Sequence, residues 1–508
     1  MKKIIVLFLL ASFFLQGRIS AQNIDSEALD SFIFQVMSDF EVPGISVGIV
    51  RNDTVIYSKG FGIRSIEQSL MVDEETIFGI GSISKSFTAL TLGLLVDKGF
   101  INWDDKVVDY LPYFELYDPY VTSNFTIRDL LTHKSGLKSV SGGTLWYHSD
   151  LTREQVIRGL KYLKPVSGFR EKSAYQNVMF VVAGEIVNVV TNMSWDDFLK
   201  QHILEKMDML NTTSISSIRE ANPNIARPHV WNKEITEKMV VEQELGDNLA
   251  AAGFIYSSAH DMINYMRLLL NDGTFQEDTI VSKSIIDEIF KPQSLFQISA
   301  PPFGNEFSSY GLGWWLTPYM GHKIIEHSGG IDGMTAQLFM VKDLNIGVVV
   351  LSNTSKEAAA FLIKSKLLQM IFNTDAFDIY DRAKKSRLQR IERMQNALNS
   401  IPKIENAPPS LELKDYAGQY TDRMFGDINL TINTENELEV KFSHTPLFSG
   451  RLRHWHYDTF KIEWYDVRIP PGYLTFNFDA KQSILGFNIE QENLLDVDFT
   501  ELEILKKQ

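Results

Sequence analysis

Apolar residues recur at helical spacing from Asp25 to Phe40, at Leu29, Ile33, Val36, Met37 and Phe40, so this segment is predicted to be an amphipathic helix. The period then shortens. Ile45–Val50 and Thr54–Phe61 read as strands joined through Asn52-Asp53, a pair suited to a tight hairpin turn. Ser84–Lys98 is strongly apolar and ends at Gly99, a residue favoured just past a helix C-terminus. Residues from about 100 to 300 are mostly helical in pattern with long polar loops. Strand character returns at Tyr310–Leu316, Lys323–His327, Ala336–Val341 and Ile346–Leu351. Sheet pieces at both ends with helices between them predict a composite sheet closed by distant segments.

Near Ala376 the composition changes. Asp381–Arg393 is charged and helical, carrying Arg382, Lys384, Lys385, Arg387, Arg390 and Arg393, and reads as a solvated linker helix in preference to a site for an anionic partner. Pro402, Pro408 and Pro409 then break the chain. From Leu411 onwards there are roughly seven short β-like runs, among them Ile428–Ile432, Leu438–Phe442, Thr459–Trp464 and Leu474–Phe478, with turns at Asn433–Asn436 and Pro470-Pro471-Gly472. They predict a separate all-β module, a small barrel or sandwich. Rich in Trp455, Trp464, Tyr465, Phe476 and Phe478, it is expected to shape or partly cover a neighbouring cleft. As an independently folding unit it should be removable with the main domain's activity on small substrates kept within about tenfold.

The first 21 residues stand apart from this pattern. Lys2 and Lys3 precede the apolar stretch Ile4–Leu15, and Ile19-Ser20-Ala21 offers a cleavage site, so residues 1–21 are expected to be a signal peptide. The stretch is too short for a membrane span. The expected organisation is a signal peptide (1–21), a main domain (22–375), a helical, proline-rich linker (376–410) and the β-module (411–508). The product is expected to be exported, periplasmic or secreted from a bacterium, with no stable membrane span. Among the 508 residues, 64 acidic side chains outnumber 49 basic ones for a formal charge of −15, and no basic run dominates, so nucleic acid is not an expected partner. The chain has no cysteine, which excludes disulfides, thiolate metal sites and a cysteine nucleophile.

Serine becomes a nucleophile when a base stands beside it, and a lysine three residues on along a helix lies one turn away on the same face. Three Ser-x-x-Lys strings occur: Ser82-Lys85, Ser135-Lys138 and Ser400-Lys403. Pro402 spoils the last for a helix, and the second lies in a glycine- and serine-rich loop. Only Ser82-Ile83-Ser84-Lys85 opens a long apolar helix, where the hydroxyl meets the positive end of the helix dipole and the lysine is buried. Spacing alone leaves open the reading of Ser82 as a helix cap and Lys85 as a snorkelling surface residue.

Further strings decide between them. Of 18 tyrosines only Tyr175 is followed by x-Asn, as Tyr175-Gln176-Asn177, and His327-Ser328-Gly329-Gly330 follows a strand-like run. With Ser82-x-x-Lys85 these stand in the order and spacing of the serine β-lactamase and penicillin-binding protein superfamily, and the chain over about residues 25–370 resembles its class C-like branch of esterases and DD-peptidases. Leu130–Leu137 and Tyr310-Gly311-Leu312-Gly313-Trp314-Trp315 also look like this family, and Tyr416-Ala417-Gly418-Gln419-Tyr420 resembles the start of the small lipocalin-like domains appended to such enzymes. The resemblance implies an α/β fold with an antiparallel sheet flanked by helices, an all-helical region, and a following barrel or sandwich.

The same resemblance implies roles. Ser82 would attack a carbonyl, Lys85 and Tyr175 would share its proton, and Asn177 would bind Lys85 or the substrate amide. The backbone N–H groups of Ser82 and Gly330 would hold the oxyanion. Ser328 and Gly329 belong to the substrate-binding strand, and His327 would keep a donor beside Tyr175. Class C β-lactamases typically carry lysine at that position; histidine can be neutral near pH 7, which weakens the expectation of β-lactam turnover. Glu326 is expected on the opposite sheet face. The resulting expectation is an exported serine hydrolase for small-molecule or peptide acyl substrates (esters, amides or D-amino-acid peptides), with transfer of the acyl group to an alcohol or amine as a further route. The alternatives are a penicillin-sensitive DD-peptidase or β-lactamase, and an idle acyl-trapping sensor. No cofactor and no metal is expected: His454-x-His456 lacks a third ligand. His133 is expected to fix a loop, Trp146 and Tyr147 to line the cleft or cap the core, and Trp314-Trp315 to send one indole to each sheet face.

Overall fold

The computed structural model describes residues 24–232, 236–297, 307–355, 358–374, 379–397, 401–491, 494 and 496–507. The expected signal peptide and Ser400 lie outside them.

The first helix, Ser26–Asp39, buries Leu29, Ile33 and Val36. Gly44–Arg51 (β1) and Thr54–Ser65 (β2) form the expected hairpin, and Asn52 and Asp53 both have positive φ, the geometry that matches strand twist in a two-residue turn. Gln68–Met71 (β3) adds one edge. The later strands are Ser294–Gln297 (β4), Phe307–Tyr310 (β5), Trp315–Tyr319 (β6), His322–Ile331 (β7), Met334–Val341 (β8) and Ile346–Ser352 (β9). Among the described residues these make one nine-stranded antiparallel sheet, ordered β4-β5-β6-β7-β8-β9-β1-β2-β3. The β1–β9 pairing, with Val47 opposite Val350, closes the sheet with segments some 300 residues apart, as the pattern predicts.

Both faces of β1 are buried. On one side, helices Ser26–Asp39 and Ala359–Phe372 pack Ile33, Leu362 and Ile363 against Ile45, Val47 and Val348. On the other lies Ala259–Leu270, whose Ile263 occupies the space over Gly48 that a side chain would fill. Glu326 takes the face away from His327, as strand alternation predicts, and forms an ion pair with Lys364. Helix Ile379–Ala397 returns to the first helix, where Lys384 pairs with Asp39 and Arg387 with Glu41.

The predicted strand Tyr310–Leu316 is two strands. Gly313, at φ +77, turns the chain, so Tyr310 on β5 faces Trp315 on β6. Trp314 therefore lies in the turn, fully buried beside Tyr265 and Phe290, and only Trp315 belongs to a sheet face. The third motif is also placed differently: Ser328, Gly329 and Gly330 continue β7 to Ile331 instead of ending it.

The described C-terminal residues close an eight-stranded antiparallel barrel from Gly418–Asp422 to Leu505–Lys506. Its aromatics face inward. Tyr416, Tyr420, Phe460, Phe476 and Phe487 form one aromatic cluster, and Trp464, Phe442, Phe448 and Phe499 another, in which Trp464 stacks on Phe499. Trp464 and Phe476 thus fill the barrel, Tyr465 is exposed, and Trp455 packs against Tyr473. Phe448 alone of these clusters reaches outward, with its ring 6.1 Å from that of Tyr147.

Candidate active site

Ser82 lies in a single 3₁₀ turn, Gly81–Ile83, that leads into helix Ser84–Asp97. The turn is pressed onto β7. Gly81 has φ +54, and a Cβ there would lie 2.3 Å from Gly330 N; a Cβ on Gly329 would lie 1.8 Å from Ile80 O. Glycine at both positions lets backbone meet backbone, which puts Ser82 and Gly330 on the rim of one pocket. The helix behind is apolar on nearly every face and buried from Ser84 to Leu95, which carries Lys85 into the interior.

Lys85 is fully buried. Its Nζ is 2.7 Å from Asn177 Oδ1, 2.8 Å from Ala252 O and 3.1 Å from Ser82 Oγ. The first two partners only accept, so two N–H bonds go to them; the Ser82 hydroxyl can either accept or donate. Burial lowers the Lys85 pKa to about 7, against a smaller upward pull from the Asp496 carboxylate. A neutral Lys85 that keeps both N–H bonds has its lone pair left for the Ser82 proton. Asn177 stands just before helix Val178–Thr191, and its amide is oriented from the far side: Nδ2 donates to Asp496 Oδ2 at 2.8 Å, leaving Oδ1 for Lys85.

Tyr175 is brought to the same place. Lys85 Nζ lies 4.8 Å from the centre of its ring, which is parallel to Trp315 at 6.5 Å. Burial drives its pKa far upward, opposed by the nearby Ser82 hydroxyl, yet the phenol forms no completed hydrogen bond among the described residues. Tyr175 is thus a neutral phenol held close to Ser82. His133, in left-handed backbone at φ +59, accepts from Gln176 N through Nδ1 at 3.0 Å and packs its ring 4.4 Å from Tyr175. It fixes a loop, and that loop positions Tyr175.

His327 corrects one expectation. Its Nδ1 bonds to Ser328 O at 2.6 Å and its Nε2 to Tyr310 Oη at 3.0 Å. A carbonyl only accepts, so Nδ1 carries the proton and Nε2 accepts from the tyrosine. No donor remains for Tyr175. Burial, then the Lys85 charge, push His327 down to about 3, so it is neutral. Gly329 is buried under the Ser82 turn, and Ser328 is exposed on β7.

The pocket is lined by Ser82, Asn177 and Gly330, by Trp146 and Tyr147, and by three carboxylates absent from the expected set: Glu244, Asp332 and Asp496. Its free volume is about 20 Å³, space for a water-sized group. Trp146 and Tyr147 therefore both line the cleft and remain buried. Two of the acids have cationic neighbours. His148 donates its backbone N–H to Glu244 at 2.6 Å, with its ring 3.6 Å from Glu244 and 3.5 Å from Asp332. Asp332 also accepts from Tyr147 at 2.7 Å and faces Arg468 of the barrel at 3.4 Å. Burial would lower His148, but Glu244 and Asp332 raise it overall; burial raises Glu244 to about 7.

The β-module is consequently part of the site. Glu501 accepts from Ser141 Oγ and, at 2.8 Å, from Gly142 N; Asp498 pairs with Lys138, and His444 with Asp150 at 2.6 Å. Gly143 is a glycine of necessity, since a Cβ there would lie 1.4 Å from Asp496 O. Of the module's residues Asp496 lines the pocket, Arg468 backs Asp332 and Phe448 backs Tyr147, whereas the aromatics expected there, Trp455, Trp464, Tyr465, Phe476 and Phe478, are not among the lining residues. Ser135-Lys138 forms no site: Ser135 accepts from Leu137 N, and Lys138 serves the barrel contact. His454 and His456 are spent on Tyr457 O and Ile404 N.

A family model described as Beta-lactamase matches residues 29–369, which hold Ser82, Lys85, Tyr175 and His327. The chain belongs to the beta-lactamase family. Members of this family are serine hydrolases. Residues 402–506 match a second model, described as a domain of unknown function, DUF3471. Among curated relatives, the unguisins hydrolase of Aspergillus violaceofuscus is 25% identical over 448 residues, covering 82% of this chain and 78% of its own. Penicillin-binding protein 4* of Bacillus subtilis is 27% identical, covering 65% and 72%. The octameric penicillin-binding protein homologue from Pyrococcus abyssi superposes with a TM-score of 0.61 at 25% identity, over 92% of this chain and 99% of that one. Within this beta-lactamase-family chain, Asp332 lies two residues past the Gly330 motif and was within reach of a sequence reading. Asp496 was not, because nothing around it marks a site.

Proposed function

We propose that this protein is an exported serine hydrolase that forms an acyl intermediate on Ser82 from ester, amide or peptide substrates and passes the acyl group to water, an alcohol or an amine. The observation that carries the reading is the Lys85 ammonium nitrogen, fully buried, held by two acceptors and 3.1 Å from Ser82 Oγ. In this reading Lys85 takes the Ser82 proton as the hydroxyl attacks, and the neutral Tyr175 phenol relays a proton to the leaving group. The oxyanion is held by the backbone N–H groups of Ser82 and Gly330. The relatives named as a hydrolase and a penicillin-binding protein support this class. A β-lactamase or DD-peptidase reading needs a cation for the substrate carboxylate, and a neutral His327 together with three acids lining the Ser82 pocket disfavours it. Incubation with a fluorophosphonate and peptide mapping should place the adduct on Ser82. An adduct on Ser135 or Ser400 instead would refute the assignment, and an acyl burst without turnover would favour an acyl trap.

The Lys85 environment also sets a pH dependence. Only the neutral amine can accept the proton, so kcat/KM should climb between about pH 6 and about pH 8, around the Lys85 pKa of about 7. Asp496 raises that pKa, so Asp496→Asn should move the rise to lower pH. A flat profile, or a move in the opposite direction, would remove Lys85 from the role of base.

A further inference from the structure

Of the three acids in the pocket, Asp496 differs from the other two. Glu244 and Asp332 are flanked by His148 and Arg468. Asp496 is mostly withdrawn from solvent and accepts one hydrogen bond, from the Asn177 amide; among the described residues no cationic side chain lies within 4 Å and no second donor reaches it. Removing a carboxylate from water without a counter-charge is costly. The nearest positive group is Lys85, on the far side of Asn177, and it already has three partners. The vacant face of the carboxylate looks into the space it shares with Ser82, which has a free volume of about 20 Å³. Asp496 is linked to Ser82 Oγ through only Asn177 and Lys85, by contacts of 2.8, 2.7 and 3.1 Å, so a cation held by its carboxylate in this shared pocket belongs close to the carbonyl that Ser82 attacks. Glu244 and Asp332 on the same wall oppose a carboxylate.

From this, and resting on the reading of Ser82 as nucleophile, we infer that Asp496 is a specificity-determining residue that binds a protonated amine on the carbon next to the scissile carbonyl. The substrates are then aminoacyl esters, aminoacyl amides and peptides with a free N-terminus. The recognition group comes from the barrel, so the module selects the acyl donor.

The test compares alanine p-nitroanilide, as each enantiomer, with propionyl p-nitroanilide, which has the same acyl skeleton without the amine. For the full-length protein, kcat/KM for the preferred alanine enantiomer should exceed that for propionyl by about 30-fold or more, the usual scale for a buried charge pair. In Asp496→Asn that ratio should collapse to about threefold or less. No preference in the unaltered protein, or a preference that survives Asp496→Asn, overturns the inference. Binding to Ser82→Ala, measured by calorimetry, keeps the question separate from catalysis: tighter binding of the amine-bearing anilide supports the inference, and equal affinities overturn it. Failure of Ser82 to take a fluorophosphonate counts against the hydrolase reading and leaves the binding comparison to decide the amine site.

Discussion

Lys85→Ala is expected to lower kcat on a simple ester by roughly 10²–10⁴, the range for a general acid–base group, with the protein still folded. The loss follows from geometry. Lys85 is the basic group shown to contact Ser82 Oγ, and its other two bonds hold it there. The substitution leaves Asn177 Oδ1 and Ala252 O without their donor, at about 1–3 kcal/mol each, so stability should fall measurably. Tyr175→Phe should lower kcat over a similar range with far less effect on stability, because the phenol forms no completed hydrogen bond among the described residues. Urea denaturation beside steady-state kinetics separates the two effects. The double variant should be little worse than the poorer single one, since residues sharing one proton path act as a unit. Fully additive losses would mean that Lys85 and Tyr175 do not share that path.

The parts of this site legible in the sequence are those whose geometry is set by local spacing. Ser82 and Lys85 lie one helical turn apart, so a three-residue interval already places them together. Tyr175 and Asn177 stand together just before a helix, and Glu326 and His327 divide between sheet faces by alternation. Reading failed where a turn or a distant segment decides. Gly313 folds Tyr310–Leu316 into a hairpin, and a glycine inside a β-like run does not announce whether it bends the strand or ends it. His327 was legible as a residue able to lose its charge, but its bonds to Tyr310 and Ser328 depend on the strand continuing through the motif. In the barrel, alternation predicts that half the side chains face inward, and aromatics take that side because they gain most from burial. The cleft is met by Asp496, outside any strand, while Asp498 and Glu501 hold Lys138, Ser141 and Gly142 beside it, and a stretch between strands has no period to read.

Truncation shows what that placement implies. A chain ending near Asn406 is expected to lose about 10²-fold or more in kcat/KM even on small esters, where independent modules would have predicted about tenfold at most. Without the barrel, Ser141 Oγ and Gly142 N lose Glu501, Lys138 loses Asp498, Asp150 loses His444, and Asn177 loses Asp496. The apolar contacts go as well: Met424 leaves Gly159 and Phe448 leaves Tyr147. Uncovering a large apolar side chain costs up to about 1.5–3 kcal/mol, so the segment from Lys138 to Asp150 has little left to hold it over the pocket. A displacement of one ångström near the reacting centre is enough for a loss of about 10²-fold. Fluorophosphonate labelling of Ser82 should slow but persist, because the Ser82 turn is clamped to β7 by contacts that do not involve the barrel. Supplying the separate module, residues 407–508, should restore part of the rate if it folds and docks. If the truncated protein instead turns over small esters at nearly the full rate, the barrel acids contribute nothing to the site, and the contact of Asp496 with Asn177 is incidental to the chemistry.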